Sequence, residues 1–286
     1  MPEKVNCDYC HREKTTRIRS YERRLRLPGD YAVVRCDRCG LVFMDPRPEE
    51  AVLAQVYAGQ YYEAYQMKAE TDKRIANEFR SSLESARQLG YRSGRVLDAG
   101  AGVGGFLKVF KEAGFEVYGT EISPREIQEA KQLYQVDIWN REVLDIEGYD
   151  GYFDIVHANH FLEHVRYPGR YFAKINALLK DKGLFIFEVP NEFNNCSNNF
   201  RRLFRRDTKY AVYPSLHHLY FYSKSILERY LLANNFEIIA YRGVNPWNYY
   251  SSGNRVFTLV NGLIYKIMSP FGYGAVHNFI CRKGKK

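Results

Sequence analysis

The stretch Val96-Leu97-Asp98-Ala99-Gly100-Ala101-Gly102-Val103-Gly104-Gly105 decides how the chain folds. An aliphatic run leads into four glycines within the six positions from Gly100 to Gly105. The run reads as a buried strand, and the glycines as a sharp turn whose backbone can approach a ligand with no Cβ in the way. Helical character then runs from Gly104 to Ala113 and stops at Gly114.

Upstream, Thr71 to Leu89 has helical apolar spacing (Ile75, Phe79, Leu83, Ala86) and ends at Gly90, a suitable cap. Downstream, Phe115 to Thr120 reads as a strand. Ser123-Pro124-Arg125-Glu126 opens a helix with a capping serine, a proline at the first position and a capping-box glutamate. Val136 to Trp139 is a weak strand, Phe153 to Ala158 a clear one, and Arg170 to Leu179 a helix. Gly183 to Val189 is an apolar strand of the doubly covered type. Ser223 to Ala233 is helical, and Phe236 to Arg242 and Val276 to Cys281 are strands. Strands alternating with helices predict an α/β fold with a doubly wound, mostly parallel sheet.

The first forty residues carry Cys7-x-x-Cys10 and Cys36-x-x-Cys39-Gly40. Two such pairs suit a tetrahedral four-thiolate site, because each pair folds as a knuckle and the metal joins them. Tyr21 to Leu27 and Tyr31 to Arg35 could supply short strands between. Structural zinc is the expectation for Cys7, Cys10, Cys36 and Cys39, and the same thiolates would also hold iron. Glu49 to Tyr57 reads as a short helix after the Asp45-Pro46-Arg47-Pro48 turn. The organisation expected is a zinc-ribbon module at 1–48, a helical linker and lid at 49–90, and an α/β domain at 91–286.

The chain has 286 residues and a net charge of +9, concentrated in Arg201, Arg202, Arg205, Arg206 and Lys209 and in a basic tail from Arg282. Such patches attract anionic partners. No apolar run follows the first Met, and Val256 to Ile267 is too short to span a bilayer. A cytoplasmic protein with reduced cysteines is expected. The basic-aromatic insert at 191–222 contains Phe200-Arg201-Arg202-Leu203-Phe204-Arg205-Arg206, and as a helix it could rest on the anionic inner face of a membrane or cover an acidic substrate.

The loop fits two patterns. Gly100-x-Gly102-x-x-Gly105 is a dinucleotide fingerprint, and Glu121, 21 residues after Gly100, could hold ribose hydroxyls in either case. Asp98-x-Gly100-x-Gly102-x-Gly104 places a carboxylate inside the strand end, where it can accept from the ammonium of a methionine moiety. With Phe153-Asp154-Ile155-Val156, Phe161-Leu162-Glu163-His164-Val165, Leu178-Leu179-Lys180-Asp181-Lys182-Gly183 and Glu188-Val189-Pro190-Asn191, the chain resembles class I methyltransferases that use S-adenosylmethionine (SAM). It is similar to the ubiquinone-biosynthesis O-methyltransferases, and its cysteine ribbon to the N-terminal module of a subset of these enzymes.

That resemblance implies a seven-stranded Rossmann-like sheet with SAM as cofactor. Asp98, Gly100, Gly102 and Gly104 would line the methionine and ribose side, and Glu121 would hold the ribose. Ile122 would pack on adenine, Glu142 and Val143 would meet its edge, and Asn159 and His160 would face the sulfonium. Base candidates for a hydroxyl acceptor are His160, His164, His217 and His218, with His160 and His218 preferred.

Absences narrow the acceptor. After the fourth strand stands Ala158-Asn159-His160-Phe161, not the Asp/Asn-Pro-Pro-aromatic turn of amino-directed DNA methyltransferases, and no Pro-Cys nucleophile occurs in the catalytic domain. A small-molecule, saccharide or lipid-linked acceptor is expected in preference to nucleic acid. Three rivals stay open. One is an RNA-modifying methyltransferase gripping through the ribbon and basic patches, against which residues 1–50 hold 11 Lys or Arg beside 9 Asp or Glu. The second is a nicotinamide-dependent oxidoreductase. The third is a non-enzymatic scaffold that keeps SAM binding as a relic, against which stand the intact glycine loop and the Asn159 to His164 region.

Overall fold

The computed structural model describes residues 3–18, 31–49, 51, 53, 71–191, 218–244, 267 and 274–285. Within them the chain builds strands β1 (Thr15–Arg17), β2 (Ala32–Cys36) and β3 (Val42–Asp45), followed by helix α1 (Thr71–Gln88). Strand β4 (Arg95–Ala99), helix α2 (Gly105–Glu112), β5 (Glu116–Glu121), α3 (Pro124–Tyr134) and β6 (Trp139–Asn140) come next. Then come β7 (Phe153–Asn159), α4 (Pro168–Leu178), β8 (Leu179–Pro190), β9 (Tyr220–Phe221), α5 (Lys224–Ala233), β10 (Phe236–Val244) and β11 (Val276–Lys283).

Seven strands form one sheet in the order β10-β11-β8-β7-β4-β5-β6. The five from β6 to β8 run parallel, while β11 is antiparallel to both β8 and β10. This is the doubly wound, mostly parallel sheet that the strand–helix alternation predicts, with the seven strands and Rossmann-like order that the resemblance implies. The chain builds β4, β5 and β6 outward in one direction and returns to lay β7 on the other flank of β4. The glycine loop therefore leaves β4 at the topological switch point, where open α/β sheets bind ligands.

Side chains alternate across the strands and feed two cores. Val96, Ile155, Leu184 and Ile186 pack under α2 with Phe106 and Phe110. Leu97, Val156, Phe185 and Phe187 pack on the opposite face with Phe172 and Tyr230. At the start of α3 the Ser123 side chain accepts from the Glu126 amide at 3.4 Å, with Pro124 in the first turn, as the capping sequence predicts.

Strands β1, β2, β3 and β9 form a second, antiparallel sheet. Strand β9 lies far along the chain, yet Phe43 pairs with Tyr220 and Val42 with Phe221. One continuous core holds Cys7, Val34, Leu41 and Phe43 of the N-terminal part together with Leu162, Tyr222 and Tyr230. Asp8, inside the first knuckle, accepts from the Gly169 amide at 2.8 Å and from the Tyr230 hydroxyl at 2.7 Å. Helix α4 has no side-chain cap of its own. Asp8 supplies one from outside, and its charge suits a helix N-terminus.

Several boundaries move. β6 begins at Trp139 instead of Val136 and has two residues. The β6–β7 connection carries only a 3₁₀ turn, Val143–Asp145. β8 starts at Leu179, where Phe153 pairs with it. The Tyr21 to Leu27 strand, most of the Glu49 to Tyr57 helix, the Val256 to Ile267 stretch except Ile267, His217 and the arginine run at 201–206 lie outside the described residues. No helix among the described residues is long and apolar enough to cross a membrane.

Candidate active site

The loop after β4 is built on positive φ angles: +70° at Gly100, +52° at Gly102 and +79° at Gly104. A Cβ on Gly100 would stand 2.6 Å from the Phe161 ring, and one on Gly104 would stand 2.8 Å from Val136. A Cβ on Gly102 would meet nothing within 4 Å. The outer glycines are therefore required by close packing as well as by backbone, and Gly102 faces open space.

Glu121, at the end of β5, closes the loop. Its carboxylate accepts from the Gly102 amide at 3.0 Å, from Ile122 at 2.7 Å and from Ser123 at 2.9 Å. The Asn140 side chain donates to its backbone carbonyl at 3.0 Å. Ile122 is 62% exposed beside it, unusual for an isoleucine next to a buried sheet. Val143 is buried, and the Glu142 carboxylate accepts from the Tyr171 hydroxyl at 2.5 Å.

Asp98 lies beneath the loop rather than out on it, 3% exposed. Its Oδ1 bonds the His157 Nδ1 at 2.7 Å, and the His157 ring stacks on Phe106 at 3.7 Å between centroids. Oδ2 makes no bond among the described residues. Burial pushes the Asp98 carboxyl up, against the pull of His157.

Beyond β7 the turn Asn159 to His164 folds back over the same edge. His160 takes a left-handed φ of 49°, a strained position for a residue with a side chain, and its amide donates to the Glu188 carbonyl at 2.9 Å. Its Nδ1 meets Glu163 Oε1 at 3.1 Å, and its Nε2 lies 3.8 Å from a Glu188 oxygen. Glu163 is 1% exposed and is the hub of this region. His164 Nε2 lies 3.7 Å from it, and the His164 and His218 rings are 4.9 Å apart. Ligating atoms of Glu163, His164 and His218 all fall within 4.8 Å of one another. The Glu163 carbonyl accepts from the amides of Leu219 and Tyr220, at 2.8 and 3.2 Å, which carries His218 into the cluster. Burial pushes the Glu163 carboxyl up, but His164, His160 and His218 outweigh it and hold it down at about 2. Sequence reasoning quoted Glu163 only as part of a motif. The signal that could have marked it is an acid between two histidines at a strand end.

The four cysteines of the two knuckles converge, all Sγ atoms lying within 4.8 Å of one another. Cys7 and Cys39 approach to 3.4 Å, as do Cys10 and Cys36. Burial raises the Cys36 thiol, yet the backbone amides of Cys39 and Arg38 bring it down to about 7. Arg229 donates to the Cys39 carbonyl at 2.9 Å, tying the second knuckle to α5.

The methyltransferase-domain family matches residues 66–241 of this chain. Among solved structures, the 1,6-didemethyltoxoflavin-N1-methyltransferase of Burkholderia thailandensis is similar at 21% identity and a TM-score of 0.55, covering 91% of this chain and 98% of that one. A SAM-dependent methyltransferase of Thermotoga maritima is similar at 17% identity and a TM-score of 0.50, covering 79% and 95%. The [4+2]-cyclase SpnF shares the fold at 16% identity and a TM-score of 0.50, covering 73% of this chain and 82% of that one. No curated protein matches the chain. With the family match spanning more than half its length, on a Rossmann-like sheet whose glycine loop opens at the switch point, this chain belongs to the methyltransferase-domain family.

Proposed function

We propose that the chain moves the methyl group of SAM to a hydroxyl of a small-molecule, saccharide or lipid-linked acceptor. One observation carries the reading. Phe161 packs against Gly100, so the histidine-bearing turn after β7 is held directly against the cofactor loop. The loop also favours SAM over a dinucleotide. The amides of Ala101, Gly102 and Gly104 already donate to Thr120, Glu121 and Ala101, which leaves fewer donors for a pyrophosphate.

When bound, SAM supplies a methyl group already activated on a sulfonium. What the chain does is bind and align. Glu121 is held by three amides where it can take ribose hydroxyls, Ile122 offers an apolar face to adenine, and Gly102 leaves room above the loop. Asp98 keeps Oδ2 for the ammonium end, directly or through water. Val143 can meet the adenine edge only through its backbone, since its side chain is buried. Asn159 ends β7 beside His160, on the side of the methyl group.

His160 is placed to take the acceptor proton. Its Nδ1–H donates to the ionised Glu163, which leaves Nε2 as the basic nitrogen. His218 stands across the same cluster as the second base. Cys7, Cys10, Cys36 and Cys39 suit a structural zinc ion. At a Zn–S distance of about 2.3 Å, tetrahedral thiolates sit about 3.8 Å apart, inside the range the sulfurs already occupy. Unbridged thiols in ligand geometry suit a reducing cytoplasm.

The test replaces His160 and His218 singly by Gln. Turnover on the true acceptor should fall about a hundredfold or more in at least one variant. Affinity for S-adenosylhomocysteine (SAH) should stay unchanged in both. Full turnover in both variants would remove the oxygen-directed base from the account.

A further inference from the structure

Arg47 follows the ribbon's last strand and is 1% exposed. Its backbone bonds Glu3 in both directions, at 2.8 and 3.2 Å. Its Nη2 donates to the Tyr220 hydroxyl, which in turn donates to the Arg166 carbonyl at 3.0 Å. The guanidinium carbon lies 5.0 Å from the Tyr167 ring centroid and 5.4 Å from that of Tyr220. Nη1 is buried and has no partner. No carboxylate among the described residues pairs with this cation.

A buried guanidinium without a counter-ion is costly, and buried charges are normally paired. Aromatic faces stabilise it in part but accept no N–H bond in the carboxylate manner. The surroundings stay positive. The Arg170 guanidinium carbon lies 5.9 Å from the centroid of the same Tyr167 ring, and the Arg166 carbonyl takes the Tyr220 hydroxyl. Of the nearby acids, Glu3 is taken by Arg166 at 2.5 Å and Asp8 by Gly169 and Tyr230.

The position is as telling as the charge. Strand β9 pairs with β3, and the Met44 amide donates to Leu219 at 2.9 Å, which sets Asp45 beside His218. Arg47 is two residues further along. Tyr220, its hydrogen-bond partner, is the residue whose amide helps hold Glu163. Tyr220 thus links the two places: its hydroxyl takes the Arg47 guanidinium, and its amide donates to the Glu163 carbonyl of the histidine cluster.

We infer that Arg47 is the acceptor-recognition cation of this enzyme, its Nη1 binding an oxyanion, carboxylate or phosphate, carried by the acceptor. The inference rests on the methyl-transfer reading above and gives the acceptor its class: a hydroxyl compound that also bears an anionic group. Tyr167, 38% exposed, is the part of this nest that meets solvent and so the side of entry. Arginine suits the task because its fixed fork matches either oxyanion with two parallel bonds.

The experiment uses the full chain saturated with SAH and titrates it, at constant ionic strength, with inorganic phosphate in one arm and benzoate in the other. Wild type should bind one of the two saturably, which also tells phosphate from carboxylate acceptors. Arg47→Met should weaken that binding at least tenfold, with Arg47→Lys between, and SAH affinity should stay equal in all three. Binding of neither anion by wild type, or equal binding by Arg47→Met, overturns the inference. Failure of wild type to bind SAH would instead count against the methyl-transfer reading. If Arg47→Met does not fold, guanidinium nitrogen NMR of wild type reads the same site. The Arg47 signals should shift on adding the anion, and unmoved signals overturn the proposal.

Discussion

Replacing Gly100 by Ala tests how the cofactor loop is built. Two costs add. The residue holds a φ of +70°, where a side chain costs about 1–2 kcal/mol. The new Cβ would also stand 2.6 Å from Phe161 Cδ2, an overlap that forces the ring or the loop to move. Overpacking of this kind costs about 1–3 kcal/mol. The sum is about 2–5 kcal/mol, a large share of the stability of an ordinary domain. Gly102→Ala is the control, because its φ is +52° but its Cβ would meet nothing within 4 Å. That variant should lose only about 1 kcal/mol. Its methyl group would instead occupy the space left for the ligand, so SAH affinity should fall while the fold survives. Urea unfolding of both variants, with SAH titration of each, reads the two effects separately. Repeating Gly100→Ala in a Phe161→Ala background should recover the packing part of the loss. Equal destabilisation at the two glycines, or no recovery in the double variant, would refute this account of the loop.

Two further outcomes follow from the same geometry. Cys36→Ser should release zinc, measured by atomic emission, and should lower the urea midpoint because Asp8 and Arg229 tie the knuckles to α4 and α5; undiminished zinc would exclude the four-thiolate site. His277 is buried, which lowers its pKa to about 4 from 6.5. The unfolded chain then binds the proton more readily than the folded one, so this contribution to stability is full above pH 6.5 and is lost as pH falls toward 4. The loss should reach about 3 kcal/mol, and His277→Gln should flatten that part of the urea-stability profile.

Most of the fold was legible because long-range order here follows local pattern. The aliphatic run at Val96, the glycines and the Ser123-Pro124 cap each announce their element without help from the rest of the chain. Elements that depend on distant partners did not show. Strand β9 has two residues, and only pairing with β3, far away in sequence, makes it a strand. β6 starts late because it meets β5 only at Thr120 and Glu121. In the site, the glycines and Glu121 were readable from spacing, and the cysteine pairs converge as their spacing required. Glu163 and Arg47 were not singled out. The first matters because three histidines surround it, the second because no acid among the described residues pairs with it, and both are facts of packing. Asp98 is buried beneath the loop with its Oδ1 bonded to His157, a partner that spacing alone could not show.

The most direct test of the central claim is a calorimetric titration of SAH into wild type and Glu121→Ala, with NADH as the comparison ligand. The account predicts saturable SAH binding by wild type, weakened about tenfold or more in the variant by loss of charge-assisted bonds to the ribose. It predicts no NADH binding. Wild type that takes NADH and not SAH, or a variant that binds SAH as well as wild type does, would contradict it.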